Sequence, residues 1–169
     1  MRSGRAAALA GAALLLAGCA ADGGRDGPYA RIFGVERIPQ GQAATLRGGR
    51  PPLVLAGADA ETAAAVAPRL HVPAGSGGAA FVPAAPDETG PRLVLAVGGA
   101  RASCAATAGD AGPGAAEATA LWCIGDRVRA RAQGTGAPFA AATAPGFEAA
   151  AQRMIDAMLR PQRPNTPGR

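Results

Sequence analysis

Ala118-Thr119-Ala120-Leu121-Trp122-Cys123-Ile124, then Gly125-Asp126, then Arg127-Val128-Arg129-Ala130-Arg131-Ala132: two runs rich in β-formers flank a two-residue break. Glycine at the first central position suits a type II′ turn, which joins antiparallel strands in a tight hairpin. The turn sets an expected register of Ile124 opposite Arg127, Cys123 opposite Val128, Trp122 opposite Arg129 and Leu121 opposite Ala130. Strict alternation then divides the hairpin into two faces. Leu121, Cys123, Val128, Ala130 and Ala132 form a small apolar face expected to meet a core. Trp122 shares the other face with Arg127, Arg129 and Arg131.

Outward from the hairpin, other elements are legible. Arg92-Leu93-Val94-Leu95-Ala96-Val97 is apolar at nearly every position, so it reads as a strand covered on both faces. Residues 53–56 follow Pro51-Pro52 and end at Gly57, the pattern of a short strand. Asp59 is placed to cap a helix running to about Ala67, with Glu61 in its first turn and Pro68 stopping it. Tyr29, Arg31, Phe33 and Val35 alternate with Ala30, Ile32 and Gly34 and predict a short first strand. Residues 40–50 read as loop. Phe81-Val82 is a short strand inside a Gly- and Pro-rich stretch, and residues 98–114 form a long small-residue loop carrying Cys104. Residues 143–159 predict the best helix, with Pro145 in its first turn. Its apolar face is Phe147, Ala150, Ala151, Met154, Ile155, Met158 and Leu159.

Together these predict an α+β domain over residues 29–160: a mostly antiparallel sheet of four or five strands with two helices on one face. Residues 161–169 are polar and Pro-rich and read as a disordered tail. A chain of 169 residues leaves room for one such domain. Aromatic residues are only 4% of the chain, so Ala and aliphatic side chains must fill the core.

The N-terminus follows a different logic. Arg2 and Arg5 precede an apolar run over residues 6–16, and small residues follow, as in a secretory signal. As a helix that run spans about 20 Å, short of the roughly 30 Å of a hydrocarbon core. Leu16-Ala17-Gly18-Cys19 resembles the lipobox of bacterial lipoproteins at all four positions. The resemblance implies that residues 1–18 are removed and that Cys19 becomes the lipid-bearing first residue. Each buried methylene of an acyl chain contributes about 0.8 kcal/mol, and two or more chains anchor stably. By the same resemblance, Ala20 rather than Asp after the cysteine favours the outer membrane over the inner. Residues 19–28 read as a lipidated flexible tether with a reach of about 15–18 Å, which keeps the domain beside its membrane.

Lipidation removes one of three cysteines. Cys104 and Cys123 remain, and in an oxidising compartment they are expected to form a disulfide. Two buried thiols or a redox-active cysteine are the competing readings. No Cys-x-x-Cys motif or evident charged neighbour favours the latter.

Every basic residue is Arg, in an Ala-, Gly- and Pro-rich chain, which reads as compositional bias. Loss of Arg2 and Arg5 takes the net charge from +5 to +3. That mild excess, without a dense basic stripe, argues against a nucleic-acid partner. The Trp122, Arg127, Arg129 and Arg131 face is the candidate docking surface, for an envelope protein or for anionic headgroups at about 1 kcal/mol per Arg. Alternatively Arg129 stacks on Trp122 on a merely solvated face.

Catalytic chemistry has little to stand on. His71 is the only histidine, and with no spare cysteine it makes no recognisable zinc site. Ser76 lies in Ala74-Gly75-Ser76-Gly77-Gly78, which departs from the nucleophile-elbow pattern at position 74 and lacks the lysine of a phosphate-binding loop. Asp87-Glu88 reads as solvated loop. The expected function is a membrane-anchored envelope lipoprotein without catalytic residues, metal or cofactor, acting as an interaction or accessory module. A small-ligand or anion-binding module, using the arginine face or a loop-lined pocket, is the alternative. A hydrolase using His71 and Ser76 is the third.

Overall fold

The computed structural model describes residues 30–46, 49–85, 88–109 and 114–160. The signal segment, Cys19, the tether and the tail all lie outside the described residues. The chain forms β1 (Arg31–Glu36), β2 (Pro52–Ala56), α1 (Ala60–Val66), β3 (Val82–Pro83), β4 (Arg92–Val97), β5 (Glu117–Ile124), β6 (Arg127–Thr135) and α2 (Phe147–Leu159). A 3₁₀ helix at Gln40–Leu46 occupies part of the stretch expected to be loop.

The fold is α+β, with one sheet of six strands in the order β1-β6-β5-β4-β2-β3. β4, β5, β6 and β1 pair antiparallel, as expected. β2 does not: it runs parallel to both β4 and β3, so the sheet is mixed and has one strand more than expected. The reason is α1. Parallel neighbours need a crossover connection, and the helix after β2 supplies one.

Asp59 starts α1 by accepting a 2.7 Å hydrogen bond from the Thr62 amide. That bond, above all, holds the Asp59 carboxyl below its ordinary pKa. Pro68 follows in a 3₁₀ turn, Ala67–Arg69, where no further α-helical bond to its nitrogen can form. α2 begins later than expected. Gly146, at φ +77°, precedes it in a left-handed conformation that helix cannot continue through, and Pro145 lies in the turn before. All seven residues of its expected apolar face are buried.

Both helices pack on one side of the sheet. Ala63 and Val66 of α1 and the α2 face share a core with Leu53, Leu55, Leu93, Leu95, Ala120, Trp122, Ala130 and Ala132. The opposite side carries a smaller cluster of Val54, Val94, Leu121, Cys123 and Cys104, the last brought there by the loop after β4. With both faces covered, every residue of β4 is buried.

The hairpin keeps its expected turn pairs, Ile124 with Arg127 and Cys123 with Val128. Beyond them the register departs from expectation. A bulge between Trp122 and Cys123 sets Trp122 opposite Ala130 and Leu121 opposite Arg131. One extra residue on β6 flips side-chain parity beyond it. The expected core face is therefore split. Ala130 and Ala132 join Trp122 beneath the helices, Leu121 and Cys123 face the disulfide loop, and Val128 is 47% exposed. Energetically the bulge is favourable. Placed on β6, the extra residue sets Ala130 and Ala132, rather than Arg129 and Arg131, beside Trp122 under the helices, which spares guanidinium groups from burial without a partner.

Candidate functional site

The docking face expected from the hairpin is not assembled. Trp122 is fully buried, and its indole N–H has no hydrogen-bond partner among the described residues. Facing pairs share a side of a sheet, so Arg127, opposite Ile124, belongs to the helix side and Arg131, opposite Leu121, to the disulfide side. Arg129 is half-buried at the bulge, and its Nε has no partner among the described residues. The bulge thus separates an arginine row that strict alternation would have aligned.

His71 and Ser76 do not form a catalytic pair. Ser76 is wholly buried and its Oγ donates to the Leu159 carbonyl at 3.1 Å, which fixes the loop to the end of α2. His71 is exposed. Its backbone is held at both ends by Gln152, whose Oε1 accepts from the His71 amide and whose Nε2 donates to its carbonyl, each at 2.8 Å. A buried hydroxyl already committed to a carbonyl is a structural clamp, not an accessible nucleophile.

Cys104 and Cys123 are joined by a disulfide with Cα atoms 5.7 Å apart. It fastens the loop after β4 across the face opposite the helices. Arg92 reinforces it: Nη2 donates to the Cys104 carbonyl, and Nη1 donates to the Gly90 carbonyl at 3.0 Å. Arg92 is only 5% exposed, because its facing partner is Cys123 and the fastened loop covers it. The ion pairs of the described residues, Arg69–Glu148 and Arg160–Asp156, leave Arg92 out.

This loop and Arg92 wall a pocket of about 520 Å³. Leu53 and Val54 of β2, Ala60 and Ala63 of α1, Pro83 to Ala85, and Cys104 to Ala108 complete a mostly apolar lining, with Glu88, Thr89, Thr107 and Asp126 as its other polar contributors. Glu88, expected to be solvated, is half-buried, and its Oε1 accepts from the Gly90 amide at 3.0 Å; Asp87 lies outside the described residues. A second groove of about 690 Å³ runs between α1 and α2, where the exposed Arg69–Glu148 pair closes at 2.7 Å. It holds no buried charge.

The sequence reading missed Arg92, which counted only as the first residue of an apolar strand. The available signal was a single charge opening a strand otherwise apolar on both faces. No known protein family, curated protein or solved structure matches the chain.

Proposed function

We propose that the chain is an exported, lipid-anchored envelope protein that works as a non-catalytic binding module, with the loop-lined pocket as its recognition site. The observation that carries this reading is the Cys104–Cys123 bridge beside that pocket, since a disulfide persists in an oxidising compartment. The lipobox-like Leu16-Ala17-Gly18-Cys19 supports the same compartment and adds the anchor, with Ala20 favouring the outer membrane. No helix among the described residues is long and apolar enough to cross a membrane.

Burial of Trp122 takes the aromatic anchor away from the envelope-protein docking reading and shifts the weight to the small-ligand reading. The test is mass spectrometry of the N-terminal peptide from the native host, with membrane fractionation. Expected is an acylated Cys19 at the mature N-terminus and an outer-membrane fraction. Cys19→Ala should abolish both acylation and processing. An uncleaved, unmodified N-terminus overturns the reading.

A further inference from the structure

The Arg92 guanidinium is at odds with its surroundings. Burial of a cation is costly unless its charge and its N–H donors are matched. Two backbone carbonyls, of Gly90 and Cys104, take two of the donors. The fork carries further N–H groups beyond these, and no carboxylate among the described residues lies within ion-pair distance. Carbonyl dipoles orient the group, and no carboxylate among the described residues neutralises it.

The charges that line the pocket differ in exposure. Arg92 is 5% exposed, Glu88 is half-buried and Asp126 is exposed at the hairpin turn. A simple anion would gain Arg92 but meet two carboxylates on the way in. A simple cation would gain the carboxylates but meet a buried guanidinium. A molecule with a carboxylate at one end and an ammonium at the other satisfies both ends, and the apolar walls at Val54, Ala84 and Ala106 suit a short aliphatic middle. The volume of about 520 Å³ falls within the roughly 300–1,000 Å³ of small-molecule pockets.

We propose that this pocket binds a zwitterion of amino-acid to dipeptide size, its carboxylate on Arg92 and its ammonium between Glu88 and Asp126. The inference rests on the binding-module reading and names its ligand class. Arginine suits the carboxylate because its planar fork donates two parallel hydrogen bonds to it.

The test is isothermal titration calorimetry on the full chain purified in detergent, with free amino acids and the dipeptide alanyl-leucine as probes. Alanyl-leucine amide and N-acetyl-alanyl-leucine remove one charge each. Expected is saturable binding of the parent dipeptide or an amino acid, weakened about tenfold or more by either modification, as befits a lost charge-assisted hydrogen bond. Arg92→Met should abolish binding. Because Arg92 also holds two backbone carbonyls, that variant can fail to fold, so Asp126→Asn and Ala106→Phe are the deciding ones. Asp126→Asn removes an exposed charge and should weaken binding several-fold. Ala106→Phe fills the cavity without touching Arg92 and should abolish it. The proposal is overturned if no probe binds, if amidation or N-acetylation leaves affinity unchanged, if Asp126→Asn binds as tightly as the parent chain, or if Ala106→Phe does. Its failure is separable from that of the lipoprotein reading: an acylated Cys19 with no binding removes the ligand class alone.

Discussion

Reduction of the Cys104–Cys123 bridge is expected to destabilise the domain by at least about 3 kcal/mol. The two cysteines are separated by 19 positions. Closing a loop of that length removes about 11 cal/mol/K of entropy from the unfolded chain, which is about 3 kcal/mol at room temperature. The folded state adds to this. Both half-cystines are buried against Val54, Val94 and Leu121, so separating the sulfurs must push thiols into packed surroundings. Arg92 works in the opposite direction, because its bond to the Cys104 carbonyl holds the same point of the loop after reduction. That bond contributes about 1.5–3 kcal/mol at most, as a hydrogen bond from a charged donor, and it leaves the unfolded chain unrestricted. The assay is urea unfolding of oxidised and reduced protein. With a slope of about 1–3 kcal/mol per molar, the midpoint should fall by about 1–3 M. Hydrogen exchange should show amides near Cys104 losing protection before those of β4. A midpoint that moves by less than the equivalent of about 1 kcal/mol would refute the loop-entropy argument. It would also mean that Arg92 and the packing alone hold the loop.

Three further expectations follow from single residues. The lone tryptophan should emit at short wavelength and resist acrylamide until the protein unfolds, since Trp122 is fully buried; Trp122→Phe should change stability by no more than about 1 kcal/mol, because losing ring volume is offset by removing an indole N–H without a partner. Ala at Gly134 would place its Cβ 2.9 Å from Cζ of the buried Phe139 ring, so Gly134→Ala should cost about 1–3 kcal/mol in thermal or urea unfolding. The Asp59 carboxyl is held low by its bonds to Thr62, so its ionised form stabilises the folded state above the ordinary carboxylate pKa and loses that effect as pH falls through the depressed value. Urea midpoints of Asp59→Asn should therefore lie below those of the parent chain near pH 7 and converge with them in strong acid; a pH-independent gap would count against the cap.

Features that depend on near neighbours were legible in the linear chain. The Asp59 cap, the Pro68 stop, the Gly125-Asp126 turn and the seven-residue apolar face of α2 each follow from spacing over a turn or two of backbone. So did the double-sided burial of β4, because six consecutive positions with no polar face beyond Arg92 leave only one place in a sheet. Features that depend on distant contacts came from tertiary packing. Nothing local to β2 announces a parallel partnership with β4; that is fixed by how α1 returns the chain over the sheet. Nothing in the hairpin announces its bulge. The extra residue on β6 lets small side chains, Ala130 and Ala132, lie beside Trp122 under the helices while Arg131 falls on the disulfide side. Side-chain parity has a period of two, so one inserted residue is enough to set Ala130 instead of Arg129 opposite the buried tryptophan and to divide the arginines. The Arg92 pocket has the same origin: its walls come from β2, α1, the β3–β4 connection and the disulfide loop, segments that only folding brings together.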